Sequence, residues 1–299
     1  VNILVTYASG QIVTIPGPRS RWRTILIESC PMKNETELEL ALNEAVTAAT
    51  RAGDLIVEWS RQAKYEVRQK QGAELVTTAD LRSDEIIRER LGSKFPQHRF
   101  LSEEVVVEGE FDFSGPVWII DPIDGTANYA HGHPYVSISV ALTLDGAPCV
   151  GVVHAPFLHE TYAAILGGGA TCNGHPVRVS EVSELRRALI GTGFPHDRSN
   201  VTPAIERVRR LVTECLDIRR AGSPALDIAW VAAGRLDAHS ESLAPWDIAA
   251  AGLIATEAGA VRGNLWSAVS SLPPLLRGDG FIVATPGIFE ELYKLLISQ

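Results

Sequence analysis

Nowhere in the chain does an uninterrupted apolar run approach 18 residues, so no transmembrane helix is expected. None of the four cysteines, Cys30, Cys149, Cys172 and Cys215, pairs with another at CxxC spacing. That argues against a zinc knuckle or a disulfide frame and for free thiols in a reducing, cytoplasmic setting. Positive charge is also short. Against 36 Asp and Glu stand 27 Lys and Arg, a formal charge of −9, so neither nucleic acid nor an anionic membrane is an expected partner. Any anionic substrate must be drawn in locally.

Methionine occurs once, at Met32, just ahead of the strongly helical stretch "KNETELELALNEAV". Residues 1–31 carry Arg19, Arg21 and Arg23 but no acid before Glu28. That composition fits a targeting extension, or a misassigned start with translation beginning at Met32. The folded domain is expected over 32–299, with an N-terminal α+β half to about 182 and a C-terminal α/β half from about 183. At 299 residues and 45% hydrophobic, the chain can bury a large core.

From Thr36 the residues Leu38, Leu42, Ala45, Ala49, Ala52, Ile56 and Trp59 recur every three or four positions, predicting a long helix with one apolar face. Thr36 and Glu39 have the spacing of a capping box at its start. A second helix is expected over Leu81–Leu91, with Asp80 as N-cap. The texture then changes to β-branched or alternating runs, "VWIID", "YVSISVALTL", "CVGVVHAP" and "TYAAILG", which read as strands. Helical spacing returns over 202–217, 224–234, 247–258 and 287–297, while "SSLPPLLRGDG" reads as a loop. The pattern predicts helices flanking a largely antiparallel sheet, followed by an alternating helix and strand region, without internal repeats.

The stretch that carries chemistry is "VWIIDPIDGT", where four apolar residues lead into Asp121 and Asp124. A plain turn is one reading, since Asp-Pro and Asp-Gly both form turns. A calcium loop fails, because its third and twelfth positions would be Ile123 and Gly132, neither of which offers a carboxylate. An aspartyl-phosphate mechanism would need acids two apart rather than three. Other acids supply more: Asp80 in "LVTTAD", Glu103 and Glu104 in "FLSEEV", and Asp247 in "LAPWDIAAAG". Each has a bland reading as a helix cap or a solvated face.

Together these pieces resemble the inositol monophosphatase family, whose marks are D-P-[IL]-D-G-T, an upstream G-E-E and a downstream W-D. "GHPVRVS" and "RRAGSPALDIAWVAAGRLDA" extend the resemblance from about Met32 to the C-terminus. It implies a layered αβαβα sandwich and a Mg²⁺-dependent, Li⁺-sensitive phosphatase, often a homodimer, that attacks a small phosphate monoester with water. Mn²⁺ could replace Mg²⁺. By this resemblance Glu103, Asp121, the Ile123 carbonyl and Thr126 hold one ion, and Asp121, Asp124 and Asp247 a second. A third, weaker ion is implied near Glu103. Asp80 with Thr126 would activate the water, and the backbone N–H groups of Gly125 and Thr126 would take phosphate oxygens. Asp124, Gly222, Ser223, Pro224 and Ser240 fall at substrate-side positions.

The chemistry explains the residue types. Phosphate monoester hydrolysis needs roughly 20 kcal/mol of transition-state stabilisation. Clustered carboxylates form a cage of hard oxygens for divalent cations, and two such ions about 4 Å apart can polarise phosphate and stabilise the leaving alkoxide.

Specificity is less marked. Many family members carry a Glu seven residues before the W-D aspartate, where it meets a ring hydroxyl; here that position is Ser240. Glu241 is adjacent and could substitute after a local shift, although helix or strand register would ordinarily point it elsewhere. Pro224 stands where Ala is frequent. Inositol 1-phosphate is the first expectation and histidinol phosphate the second, with fructose 1,6-bisphosphate and 3′-phosphoadenosine 5′-phosphate as further options. A regulatory or binding subunit with a vestigial metal site is the non-enzymatic alternative. His131 and His133 are not expected to bind zinc beside so many carboxylates. "LGGGATCNG" is expected to be a turn, and Trp246 to pack the W-D helix.

Overall fold

A computed structural model of the chain describes residues 2–7, 12–15, 22–27, 35–69, 75–105, 109–195, 199, 201–266 and 271–298. Strands β1 (Asn2–Tyr7), β2 (Ile12–Ile15) and β3 (Trp22–Ile27) form a sheet of their own, in the order β2-β1-β3. The rest of residues 1–31 lies outside the described residues.

Helix α1 spans Glu35–Gln62 and buries Leu38, Ala45, Ala49, Ala52 and Ile56, the predicted stripe. Because the helix begins at Glu35, Thr36 sits in its first turn rather than at its cap. Strands β4 (Val67–Gln69) and β5 (Leu75–Thr77) pair as an antiparallel ribbon that leads into α2 (Thr78–Lys94). α2 starts three residues earlier than predicted, for a local reason. Thr77 is the N-cap, its Oγ1 accepting the N–H groups of Ala79 and Asp80, while Asp80 Oδ2 accepts the Thr77 N–H at 2.8 Å. Asp80 is therefore the acidic third residue of a capping box, not the cap.

A seven-stranded sheet follows: β6 (Arg99–Ser102), β7 (Pro116–Asp124), β8 (Ser137–Leu144), β9 (Ala147–Ala155), β10 (Glu160–Ile165), β11 (Ala170–Cys172) and β12 (His175–Pro176), in the order β12-β11-β10-β9-β8-β7-β6. Its pairs are antiparallel except β6–β7. Between β7 and β8 lies the short α3 (Thr126–Ala130). A five-stranded mixed sheet, order β14-β13-β15-β17-β16, is built from β13 (Leu189–Thr192), β14 (Asp217–Arg219), β15 (Ala238–Glu241), β16 (Val261–Asn264) and β17 (Phe281–Ala284). It alternates with α4 (Thr202–Glu214), α5 (Pro224–Ala232), α6 (Pro245–Glu257) and α7 (Pro286–Ile297).

The layers follow from which faces are apolar. Helices α1 and α2 cover one face of the large sheet, α5 and α6 fill the space between the two sheets, and α4 and α7 cover the outer face of the small sheet. This is the expected αβαβα sandwich. β7 alternates Val117 and Ile119 toward α5 and α6 with Trp118 and Ile120 toward α1 and α2, so both its faces are buried. Hence its unbroken apolar run. α6 is buried along Ile248–Glu257 and approaches closely: a Cβ on Gly151 of β9 would lie 2.8 Å from the Ala250 carbonyl oxygen. Small residues permit that contact. Among the described residues no helix is long and apolar enough to cross a membrane.

Candidate active site

Three local devices bring distant acids together. The first is a bulge. Asp121 pairs with Ser139 and Asp124 with Ser137, so three steps along β7 match two along β8. Strict alternation would send residues three apart to opposite faces, and the extra residue restores both acids to the same one. Ser83 of α2 braces the bulge, its Oγ donating to the Pro122 carbonyl at 2.8 Å. The second device is the parallel register of β6 on β7, Ser102 opposite Ile120, continued by the Glu103 N–H donating to the Ile120 carbonyl at 3.2 Å. This sets Glu103 beside Asp121. The third is the first turn of α6, where Asp247 Oδ2 accepts the Ala244 N–H at 2.7 Å.

As a result, one carboxylate oxygen from each of Asp121, Asp124 and Asp247 lies within 4.8 Å of the others. They line a cavity of about 340 Å³ together with Glu103, Ile123, Gly125 and Thr126. Burial and then the neighbouring Glu103, Asp124 and Asp247 carboxylates push Asp121 well above the usual carboxylate range. Asp247 is raised in the same way, by burial first and Asp124 next. Burial lifts Asp124 to about 7, although hydrogen bonds from Ser223, Ser137 and the Ala225 N–H oppose the rise. Carboxylates confined at this density are unfavourable alone and suit a hard divalent cation.

The groups around the triad hold it in place. Asp124 Oδ2 accepts Ser223 Oγ at 2.5 Å, the Ala225 N–H at 2.9 Å and Ser137 Oγ at 3.0 Å. Ser223 thus orients an acid and also lines the cavity. Pro224 is the first residue of α5, where a helix has no use for an N–H, and Ala225 supplies the donor instead. Gly125 has φ +99°, and a Cβ there would come within 3.0 Å of the Gly222 carbonyl oxygen, which accounts for glycine in "DGT". Gly222, at φ +91°, lines the same wall.

Asp80 is fully buried and does not line the cavity. Its Oδ2 is held by Thr77 Oγ1 at 2.6 Å and its Oδ1 accepts Thr126 Oγ1 at 3.0 Å, so Thr126 stands between Asp80 and the cavity. Burial raises Asp80 to about 6 against the hydrogen bonds from Thr77 and Thr126.

Around β15 the lining differs from the expectation. Ser240 does not line the cavity; Glu241 does. Side chains alternate along β15, and Ala238 packs into the outer core with α7, so Ser240 shares that outer side while His239 and Glu241 face inward. Strand register therefore delivers Glu241 rather than diverting it. Phe194, Pro195, Arg220 and Asp227 also line the cavity and had been missed. Arg220 stood inside the quoted "RRAGS", but nothing in the sequence marks Phe194 or Pro195. Trp246 packs against the central core and borders the cavity as well. His131 and His133 are exposed and outside it. The glycine-rich turn is anchored by Glu257, whose carboxylate accepts the Gly167 and Gly169 N–H groups at 2.8 and 2.9 Å.

With this geometry in view, comparison with known proteins is decisive: residues 37–296 match the inositol monophosphatase family. The chain belongs to the inositol monophosphatase family of phosphatases. It is 40% identical over 236 residues to inositol monophosphatase 1 of Solanum lycopersicum, covering 77% of this chain and 86% of that one. It is 38% identical over 225 residues to Nus factor SuhB of Escherichia coli K12, covering 74% and 83%. The crystal structure of extragenic suppressor protein SuhB from Bartonella henselae superposes with TM-score 0.79 at 33% identity, over 86% of this chain and 98% of that one. Inositol monophosphatase from Anabaena superposes with TM-score 0.75 at 34% identity, over 87% and 96%.

Proposed function

We propose that this member of the family is a cytoplasmic, Mg²⁺-dependent phosphomonoesterase acting on a small polyol phosphate, with inositol 1-phosphate as first substrate. The observation that carries the proposal is the convergence of Asp121, Asp124 and Asp247, from two elements far apart in sequence, in a cavity that Glu241 also lines. An all-oxygen donor set with Glu103 close by fits Mg²⁺ or Mn²⁺ better than zinc. Glu103, Asp121, the Ile123 carbonyl and Thr126 would hold one ion and Asp121, Asp124 and Asp247 another, with Asp121 shared and a third ion near Glu103. Bound there, the ions supply Lewis-acid polarisation of the phosphoryl group and a more acidic water.

The chain's own groups do the rest. Thr126 Oγ1 can pass its proton to Asp80 Oδ1 while taking one from the attacking water, and the capping box at Thr77 fixes Asp80 for that exchange. The Gly125 and Thr126 N–H groups face phosphate oxygens in this reading. Glu241 accepts a substrate hydroxyl, the part that Ser240 cannot take. The enzyme is further proposed to be inhibited by Li⁺ and to form a homodimer, as the family resemblance implies.

Purified protein assayed with inositol 1-phosphate, histidinol phosphate, fructose 1,6-bisphosphate and 3′-phosphoadenosine 5′-phosphate tests this reading. Mg²⁺-dependent turnover fastest on inositol 1-phosphate supports it, and turnover indifferent to Mg²⁺ contradicts it. The Nus factor relatives give weight to a second reading, in which the chain also binds a macromolecular partner. An Asp121→Asn protein that folds and loses turnover yet complements a deletion strain would favour that role.

A further inference from the structure

On the inner face of the small sheet, fully buried beside the cavity, lies a histidine that neither the metal chemistry nor the fold explains. His239 of β15 has Nδ1 3.3 Å from Asp227 Oδ2 and Nε2 3.6 Å from Glu241 Oε2. Neither contact closes into a hydrogen bond, and both ring nitrogens lack any other partner. Behind it, the Tyr135 hydroxyl donates to Asp227 Oδ1 at 2.7 Å. A line of polar groups therefore runs Tyr135, Asp227, His239, Glu241 and ends in the cavity wall.

Strand β13 is shaped to admit this line. Gly191 pairs directly with His239, and a Cβ on Gly191 would lie 2.8 Å from His239 Nδ1 and 3.2 Å from Asp227 Oδ2. Two residues on, a Cβ at Gly193 would run into the Glu241 carboxylate. The "GTG" at 191–193, where β13 ends, thus leaves the room that "HSE" of β15 fills.

We propose that His239 is a positioning residue: bracketed by Asp227 and Glu241, it holds the Glu241 carboxylate against the substrate's hydroxyl-bearing part and so sets the preference for polyol phosphates. The proposal rests on the reading of Glu241 given above. Burial disfavours a charged ring, but the Asp227 and Glu241 carboxylates outweigh it and raise the imidazole to about 9. Both flanking carboxylates thus favour the charged form of the ring. Other charges reach it through Glu241: Arg207 of α4, half-buried and stacked 5.4 Å over Trp266, and Asp247 of α6. The adjoining strands add none, placing Gly191 and Val283 opposite the ring.

The test compares kcat/KM for inositol 1-phosphate with that for phenyl phosphate, which has no hydroxyl for Glu241, in wild type, His239→Gln, Glu241→Gln and the double variant. The ratio should fall about tenfold in His239→Gln, the scale of one charge-assisted hydrogen bond. The double variant should fall no further than Glu241→Gln. Equal losses on both substrates, or additive losses in the double variant, would mean a structural role and overturn the proposal. NMR titration of the wild-type ring supplies a readout independent of activity. It should remain charged through pH 8 and drop by a unit or more in Glu241→Gln, whereas a ring titrating near its ordinary value would refute the clamp. Wild type inert toward all phosphate esters would sink the phosphatase reading, and the ring titration would still decide whether His239 holds Glu241.

Discussion

Replacing Asp121 with Asn should stabilise the metal-free protein and remove its response to Mg²⁺. The facing oxygens of Asp121, Asp124 and Asp247 lie within 4.8 Å of one another. Two unit charges at that separation repel by about 3.5 kcal/mol at an effective dielectric of about 20. The whole amount is not realised, because the raised acids relieve the crowding by keeping protons; about 2 kcal/mol is a working value near pH 8. For a chain of this size that is about 4 °C in Tm. The pH dependence has a definite sign. Asp124 is lifted to about 7 from an ordinary 3.8, so between those values the folded state binds more protons than the unfolded one. Stability of the metal-free wild type therefore falls as pH rises through that window, and Asp121→Asn, with one charge fewer, should flatten the fall. Mg²⁺ inverts the ranking, since at a hundred times its Kd it adds about 2.7 kcal/mol to a protein that binds it only when folded. Thermal unfolding of wild type and variant at pH 5 and pH 8, with chelator and with saturating Mg²⁺, provides the eight numbers needed. A variant less stable than wild type in chelator at pH 8, or one that gains as much from Mg²⁺, would refute the reasoning.

Three further outcomes follow from named contacts. Thr126→Ala should lower kcat about 100-fold with Mg²⁺ binding by calorimetry retained in part, because it cuts the link to Asp80; unchanged kcat would exclude Thr126 as the proton carrier. Gly193→Ala should fold, since only the end of a flexible side chain must yield, yet lower the inositol 1-phosphate to phenyl phosphate ratio by displacing Glu241; an unchanged ratio would remove Glu241 from substrate binding. Gly151→Ala should cost about 1–3 kcal/mol in denaturant unfolding, because its Cβ meets the α6 backbone at Ala250 rather than a movable side chain.

How far the sequence could be read depended on whether the deciding interaction was local. The buried strand before Asp121, the apolar stripe of α1 and the family's acidic motifs are written in consecutive residues and were legible. Asp80 marks the right segment but not its local role, because a capping box and an N-cap share residue types and differ only in where the helix begins. Thr77 settled that. The spacing of Asp121 and Asp124 could not reveal that both reach one face, since the bulge exists only in the pairing with Ser137 and Ser139. The choice between Ser240 and Glu241 is hidden in the sequence for a related reason. Counting from Asp247 lands on Ser240 with Glu241 next to it, whereas the two faces of β15 are set by what packs on each side, α7 on one and α5 on the other. Phe194 and Pro195 enter the cavity through tertiary placement alone, which no pattern near them encodes.

The most direct test of a shared metal centre is a crystal grown or soaked with Mn²⁺ and its anomalous difference map. Peaks are expected within coordination distance of Asp121, one of them also touching both Asp124 and Asp247. A fully loaded crystal with its peaks elsewhere, or with those three carboxylates turned away from any ion, would contradict the central claim.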